Sequence, residues 1–161
     1  MGIVHVRIDE RLIHGQVANM WTNNLRVTRI MVVDNEASQN DVVKMSLKLA
    51  TPSGIALSVL NVEKASERIK SDSYVGQRVM LIVKSVDMLT QLMKAGVTIE
   101  SVNLGNISYR EGKRRISSYV NLNKNELEEL LWIRGQGVDI TIQLIPTAPK
   151  EHFGEKIESY L

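Results

Sequence analysis

The fold is decided by the nine residues Asp9-Glu10-Arg11-Leu12-Ile13-His14-Gly15-Gln16-Val17, because they join two segments of different hydrophobic period. Residues 3–8 are short and apolar and predict a first β-strand, whereas residues 17–21 are amphipathic and predict a helix. His14 therefore lies at the junction between the predicted first strand and the predicted first helix. In open α/β sheets ligands bind at the carboxyl ends of the strands, and a helix start carries free N–H groups and a partial positive charge. This position predicts an anion site.

The rest of the 161-residue chain repeats this alternation. Further strands are predicted over residues 28–33, 55–60, 79–83, 99–104 and 138–145, with a short edge strand over residues 116–122. Helices are predicted over residues 41–50, 61–70, 85–96 and 123–134, and in the first of these Val42, Met45 and Leu49 share one face. The pattern predicts one α/β domain, residues 1–161, with a mainly parallel sheet covered on both faces.

Composition narrows the function. The chain has no cysteine, which excludes disulfides and thiol chemistry and fits a reducing compartment. Its apolar runs are too short to span a bilayer, and the start of the sequence resembles no signal peptide. A net charge of +2 with 4% aromatic residues argues against nucleic-acid binding. Three scattered histidines and the lack of a glycine-rich nucleotide loop predict neither a metal nor a cofactor.

Several residues around His14 suit phosphate chemistry. Arg11 offers a planar fork that matches phosphate oxygens, and Gly15 permits close approach of the backbone. Asp9 either fixes a tautomer of the His14 imidazole or orients Arg11, and the sequence does not choose between these roles. The alternative for His14 itself is a helix-start histidine that only bonds nearby backbone.

Polar side chains also follow the other predicted strands, where a parallel sheet would bring them to the same edge. For Asp34 and Asn35, capping of turns and helices is the favoured interpretation. For Lys84 and Ser85, phosphate binding and simple capping are equally plausible. Asn106, beside Gly105, is expected to shape the pocket.

Residues 7–17 resemble the active-site motif of the IIB component of the mannose/sorbose/fructose class of the bacterial phosphoenolpyruvate-dependent sugar phosphotransferase system. The resemblance covers essentially the whole chain, including Val33-Asp34-Asn35-Glu36, Asn103-Leu104-Gly105-Asn106, Gly112-Lys113 and Pro146-Thr147. It implies an open sheet of six or seven strands. It also implies that His14 accepts a phosphoryl group, on Nδ1, from a phosphohistidine of the IIA component. The group then passes to a sugar held by the membrane components IIC and IID.

These observations predict a cytoplasmic phosphocarrier that associates peripherally with its membrane transporter. Neutral imidazole is a usable nucleophile near pH 7, and Arg11 with the backbone of Gly15 and Gln16 can neutralise phosphoryl oxygens without a metal. The alternative is a non-catalytic nucleotide- or anion-binding module with a flavodoxin-like sheet. A His-dependent hydrolase is disfavoured because no water-activating partner is evident. The sugar and the oligomeric state are not readable from the sequence.

The densest basic cluster spans residues 110–115 and carries four basic side chains and one acidic one. Lys113, Arg114 and Arg115 are candidates for docking an acidic partner, and a solvated loop is the alternative. The remaining histidines have ordinary interpretations: His5 is expected to be a satisfied strand residue and His152 to be solvated. Trp21 and Trp132 are expected in or at the edge of the core.

Overall fold

A seven-stranded sheet forms the centre of the computed structural model, which describes residues 2–161. Its strands lie in the order β3-β2-β4-β1-β5-β8-β9. In chain order they are β1 (Ile3–Asp9), β2 (Arg29–Val33), β3 (Ala56–Leu60), β4 (Val79–Val83), β5 (Ser101–Asn106), β8 (Asp139–Ile142) and β9 (Glu151–His152). A separate hairpin pairs β6 (Arg114–Arg115) with β7 (Asn121–Leu122).

The sheet is parallel except at one edge, as the sequence predicts. β4 lies between β1 and β2, is parallel to both, and is buried along its whole length. This explains its uninterrupted apolar sequence, since a central parallel strand is covered on both faces. Only the short β9 runs antiparallel, along β8.

Helices cover both faces of the sheet and divide the core in two. They are α1 (Gly15–Leu25), α2 (Asp41–Ala50), α3 (Val62–Lys70), α4 (Val86–Lys94) and α5 (Lys124–Gly135), with 3₁₀ helices at Ala37–Gln39 and Gly154–Tyr160. On one face Trp21 of α1 and Leu47 of α2 pack with sheet residues such as Ile82. On the other, α3, α4, α5 and the last 3₁₀ helix enclose a larger apolar cluster.

Polar side chains cap the starts of helices α2 to α5. Asn40, Asn61 and Ser85 each accept a hydrogen bond from a backbone N–H in the first turn of the following helix. Asn123 and Glu126 bond reciprocally to each other's backbone, which forms a capping box at α5. The helices after β3 and β4 therefore begin at the carboxyl ends of the strands, where the site lies.

Three predicted boundaries were wrong. Helix α1 begins at Gly15 and runs to Leu25, so His14 is directly at its start. Residues 116–122 do not form an edge strand of the main sheet, because Ile116 and Ser117 both donate to the Val120 carbonyl and turn the chain back. The last parallel strand ends at Ile142 rather than at residue 145, because the carbonyls of the next two residues accept from the Arg7 side chain instead.

The apolar face of α2 does not point into the core. Val42, Met45 and Leu49 are 76%, 67% and 82% exposed, whereas Leu47 is the buried residue of the helix. Val43 and Ala50 pack beside Leu47. Helix α2 thus has apolar residues on two sides, and the hydrophobic period alone does not distinguish the buried side.

Candidate functional site

The loop between β1 and α1 presents His14 at the carboxyl edge of the sheet. A tight turn starts it, in which the Leu12 N–H donates to the Asp9 carbonyl at 2.9 Å. Leu12 has a φ of 59°, in the left-handed region that non-glycine residues rarely adopt. Ile13 is buried against the α1 side of the core. A constrained turn and a buried neighbour therefore fix the backbone just before His14.

His14 is the N-cap residue of α1, but its imidazole caps nothing. Its backbone is extended (φ −107°, ψ 114°), and its exposed side chain makes no hydrogen bond with any part of the chain that the structure describes. A Cβ built on Gly15 would meet no atom within 4 Å. The space next to the imidazole is therefore open, and the N–H groups of Gly15 and Gln16 begin the helix beside it. The idea that His14 merely bonds local backbone through its side chain finds no support.

Asp9 orients Arg11. Its carboxylate accepts from the Arg11 backbone N–H at 3.0 Å, from Nε at 3.1 Å and from Nη2 at 3.1 Å. No hydrogen bond or ion pair between Asp9 and the His14 ring is present among residues 2–161. Of the two roles left open for Asp9, the structure supports the one directed at Arg11. The Arg11 guanidinium is partly exposed, and its Nε and Nη2 bond the Asp9 carboxylate. Arg11 precedes His14 by three residues in the sequence.

A buried arginine that the sequence did not single out stabilises the Asp9–Arg11 pair from the side of the core. Arg7, on β1, is 2% exposed, and its Nη2 lies 3.3 Å from Asp9 Oδ2. It also donates to the side chain of Asn103 and to the carbonyls of Gln143 and Leu144. Burial lowers the pKa of Arg7, and the Asp9 carboxylate opposes that effect. Arg7 thus links β1 to β5 and to the end of β8, and the same guanidinium also bonds Asp9.

Gly105 makes room for Arg7. A Cβ at Gly105 would lie 2.2 Å from Arg7 Cζ and within 2.6 Å of both terminal nitrogens. Only a residue without a side chain allows the guanidinium to cross β5 at this point. The resemblance included this glycine as part of residues 103–106, and the sequence carried no separate signal of its role.

The residues after β2 and β4 serve mainly to hold the edge of the sheet together. Asp34 accepts from the Ala37 N–H at 2.9 Å, and Asn35 accepts from the Val62 N–H at 2.9 Å, so both have the structural roles preferred for them. Ser85 caps α4 by accepting from Met88. Lys84 Nζ lies 3.5 Å from carboxylate oxygens of both Asp34 and Glu36. Ser85 is thus a helix cap and Lys84 is paired with two carboxylates, and the expected phosphate binding of both residues stays a prediction.

Asn106 adjoins the histidine loop. It is the last residue of β5, it pairs in register with Asp9, and its carbonyl accepts from the Glu10 N–H at 3.0 Å. The Glu10 carboxylate bonds the backbone and hydroxyl of Ser108. The loop after β1 and the loop after β5 are therefore joined through Glu10.

The basic cluster at residues 110–115 is largely engaged within the chain. Lys113 is 10% exposed and pairs with Glu126 at 3.3 Å. Arg114 donates to the Tyr160 carbonyl and lies over the Tyr160 ring. Arg110 approaches Glu10 at 3.7 Å. Of the three residues expected to dock a partner, Arg115 has an exposed side chain without an ion pair among the described residues.

The remaining histidines and tryptophans mostly follow expectation. Trp21 is buried, whereas Trp132 is 38% exposed beside Lys94. His152 is exposed near Asp139. His5 stacks on Trp21 with ring centroids 4.5 Å apart, but its buried Nε2 has no hydrogen-bond partner within residues 2–161, so it is not the satisfied histidine expected. Burial, with the Arg7 charge as a lesser cause, lowers the pKa of His5 to about 4.

Comparison with known proteins identifies the family of the chain. Residues 3–159 match the family model described as the sorbose subfamily IIB component of the phosphotransferase system (PTS). The chain belongs to this IIB family. None of the helices described for residues 2–161 is long and apolar enough to cross a membrane.

One curated relative and one solved structure show how similar the chain is to other PTS proteins. It is 35% identical over 144 residues to the mannose-specific EIIAB component of Escherichia coli K12, which covers 89% of the chain but 45% of that relative. The chain thus spans about half the length of the curated relatives it matches first. The crystal structure of the N-acetylgalactosamine-specific IIB component 1 from Escherichia coli has 31% identity and a TM-score of 0.88, covering 92% of this chain and 97% of that one.

A second solved structure covers the whole IIB chain. The IIBSor domain of the sorbose permease from Klebsiella pneumoniae has 25% identity and a TM-score of 0.92, with coverage of 100% of this chain and 99% of that chain. The seven-stranded α/β architecture is therefore that of the solved IIB structures.

Proposed function

We propose that the chain is a phosphocarrier that takes a phosphoryl group from the IIA component on His14 and passes it to a sugar. The observation that carries the proposal is the exposed His14 side chain at the first turn of α1, free of protein hydrogen bonds and next to an Asp9-held Arg11. Phosphoryl transfer depends mainly on positioning and on neutralising the equatorial oxygens. Arg11 and the N–H groups of Gly15 and Gln16 supply both.

The two steps exchange one P–N bond for another and then for a P–O bond. First, the lone pair of Nδ1 of His14 attacks the phosphorus of the donor phosphohistidine, and the donor P–N bond breaks with its electron pair returning to the donor ring. Second, a sugar hydroxyl oxygen attacks the same phosphorus. The electron pair of the P–N bond then returns to His14, and the hydroxyl proton is lost to solvent. With Arg11 and the backbone N–H groups of Gly15 and Gln16 neutralising the phosphoryl oxygens, neither step needs a metal.

The remaining residues are assigned by their contacts. Asp9 and Arg7 position Arg11 and do not touch the phosphoryl group. Asn106 borders the site. Lys84 pairs with Asp34 and Ser85 caps α4, so both hold neighbouring loops in place. We assign residues 1–161 to one domain, since one sheet joins the first strand to the last.

The partners follow from the proposed reaction. The donor is the IIA component, and the acceptor sugar is presented by membrane components IIC and IID, with the chain on the cytoplasmic side and peripherally bound. The relatives act on mannose, sorbose, fructose or N-acetylgalactosamine by name, and we leave the sugar open within that group.

The test is phosphorylation with phosphoenolpyruvate, the general PTS proteins and a IIA donor. We expect one acid-labile, base-stable phosphoryl group per chain, mapped by mass spectrometry to the peptide containing His14. His14→Ala should take up none and keep its far-ultraviolet circular dichroism. His152→Ala, which removes another exposed histidine, is the matched control and should be labelled fully.

The competing function is a non-catalytic anion-binding module. It predicts that the wild-type chain binds inorganic phosphate or a nucleotide and never becomes covalently labelled. Stoichiometric labelling of His14→Ala would equally overturn the assignment of the acceptor residue.

A further inference from the structure

The ammonium of Lys84 lies at the carboxyl edge of the sheet and has no part in the chemistry described above. Its Nζ is 3.5 Å from Asp34 Oδ1 and 3.5 Å from Glu36 Oε2, and it donates no hydrogen bond to any residue from 2 to 161. Asp34 Oδ1 is buried and also lacks a hydrogen-bond partner in the described chain. An ammonium has three N–H donors, so Lys84 has donors to offer to a further acceptor.

Lys84 follows the strand that runs beside the strand leading to His14. β4 is bordered by β1, which leads into the His14 loop, and by β2, which leads to Asp34. Ile82 of β4 packs in the same apolar cluster as Ile13, the residue before His14. Residues two apart along a strand share a face, and neighbouring strands lie about 4.8 Å apart. Lys84 therefore lies on the face that carries the His14 loop, between that loop and Asp34.

We propose that Lys84 binds the phosphoryl group once it is on His14, and that it exchanges its contact with Glu36 for the phosphoryl oxygens. The inference rests on the proposed function and adds a second cation, beside Arg11, to the phosphorylated site. Asp34 is 2% exposed and keeps the ammonium in place, whereas the Glu36 side chain is 90% exposed and returns to solvent. No covalent bond changes in this exchange.

The charges favour the exchange after phosphorylation. A phosphoryl group carries a charge of about −1.5 to −2 and three strong acceptor oxygens. Glu36 offers one charge at 3.5 Å and no hydrogen bond, and ion pairs with an exposed partner contribute little. Lysine suits such an exchange because its stem is flexible and its three donors rotate.

The first experiment compares the equilibria of phosphoryl loading. Phosphorylated IIA donor is mixed with an equal amount of each variant, and the final distribution is measured by intact-protein mass spectrometry. Lys84→Gln should lower the equilibrium constant for loading about three- to tenfold, between the values for an exposed ion pair and a charged hydrogen bond. Lys84→Arg keeps the charge and should recover most of this loss. An equilibrium constant does not depend on how fast the partners meet, so loss of a steering charge would not produce the effect.

Glu36→Gln tests the exchange itself. It removes the competing carboxylate, so it should raise the loading constant about two- to fivefold in the wild-type background. In the Lys84→Gln background it should have no effect, because Glu36 acts through Lys84. An equal effect in both backgrounds would show a general field of Glu36 and would overturn the exchange. A loss of loading in Glu36→Gln, as in Lys84→Gln, would mean that the ion pair serves only to hold the loop after β2.

Another ion pair provides the matched control. Lys156 and Glu151 are 2.9 Å apart at the opposite edge of the sheet, and Lys156→Gln and Glu151→Gln should leave the loading constant unchanged. Urea denaturation of all variants checks that each chain is folded under the conditions of the assay.

The second measurement observes the ammonium directly. The ¹⁵Nζ resonance of Lys84, assigned by its absence in Lys84→Arg, should shift on phosphorylation, whereas that of Lys156 should not. An unchanged Lys84 resonance, or a Lys84→Gln chain that loads like the wild type, would overturn the role of Lys84 and leave the carrier function intact. A wild-type chain that is never labelled on His14 would overturn the carrier function and this exchange with it.

Discussion

Arg7 and Asp9 form an ion pair that is closed to solvent, with Nη2 3.3 Å from Oδ2 and exposures of 2% and 1%. The two residues lie on the same strand, two positions apart, so they project from the same face of β1 at its carboxyl end. Asp9 continues the chain of contacts to Arg11, and Arg7 continues it to Asn103 on β5. Arg11, which is proposed to face the phosphoryl group, is thus held in place by the buried Asp9–Arg7 pair.

Replacing Arg7 should cost stability as well as rate. Arg7→Met removes the buried cation beside Asp9 and one of the two side-chain donors to each of the Gln143 and Leu144 carbonyls. Breaking a buried ion pair on one side costs about 3–5 kcal/mol. Urea denaturation measures the loss. Arg78→Met, which removes an arginine with one recorded hydrogen bond from the surface, should change stability by less than about 1 kcal/mol. Equal stability of the two variants would contradict the role given to Arg7.

Gly105→Ala should disturb the same network without changing any charge. Its Cβ would meet the Arg7 guanidinium at 2.2 Å, and overpacking of this kind costs about 1–3 kcal/mol. Phosphoryl transfer should slow because Asp9 and Arg11 shift with Arg7. Gly135→Ala, where an added Cβ meets no described atom within 4 Å, is the control and should be neutral or slightly stabilising in the same thermal melts.

Arg11→Lys should slow phosphoryl transfer from the donor by roughly 10²–10³, the loss expected for one misplaced charge-stabilising donor. An ammonium cannot bond the Asp9 carboxylate through two nitrogens and face the phosphoryl group at once. Rapid-quench measurement of single-turnover phosphorylation gives the rate. If Arg11→Lys and Arg11→Ala both react at the wild-type rate, Arg11 is only a partner for Asp9.

His5 should make the fold sensitive to mild acid. Its pKa is lowered from the usual 6.5 to about 4, so between these values the unfolded chain binds the proton and the folded chain does not. Stability should therefore fall as pH drops from about 6.5 to about 4, by about 3 kcal/mol in total from this residue. His5→Phe keeps the stack on Trp21 and cannot be protonated, so its denaturation free energy should lack this component. Parallel pH profiles for the two proteins would contradict the prediction.

Arg115 should assist encounter with an acidic donor. Of Lys113, Arg114 and Arg115, it is the one whose side chain has no ion pair or hydrogen bond with the residues that the structure describes. Arg115→Gln should slow donor phosphorylation at low salt, and the difference should narrow at high salt as the Debye length shortens. Lys48→Gln makes the same charge change on α2 and should have no effect. A salt-independent difference would point to a direct contact instead of steering.

The elements of the fold were predictable because each had a local signal. Val79–Val83 is apolar throughout and forms a buried interior strand of the sheet, and Asn61, Ser85 and Asn123 cap the helices that follow them. His14, Arg11 and Asp9 could be picked out as a group because they lie within six consecutive residues, at the end of β1 and in the loop after it. The contacts of each residue were not predictable from the sequence. Asp9, for example, had two possible partners until the structure showed it bonded to Arg11.

The parts that escaped prediction depend on distant segments. Nothing in the sequence around Arg7 indicated its role: it is buried because Asn103 and the carbonyls after β8, about a hundred residues away or more, surround it. The same contacts end β8 early, and β9 forms only because the chain returns along its edge. Tyr109 and Tyr119 carry no local pattern, and only the structure shows that both line one surface depression beside Asn106.

The position of His14 at the start of α1 has an energetic consequence for the carrier. The first turn contains no acidic residue, and the side chain makes no capping bond, so an anionic phosphoryl group on His14 would be the cap that the helix lacks. A favourable interaction of about 0.3–1 kcal/mol at this end of a helix shifts an equilibrium about two- to fivefold. That shift favours loading from the donor and opposes unloading to the acceptor by the same factor. The phosphorylated chain should accordingly melt at a higher temperature than the free one, and helix α1 sets part of the group-transfer potential at which the phosphate is held.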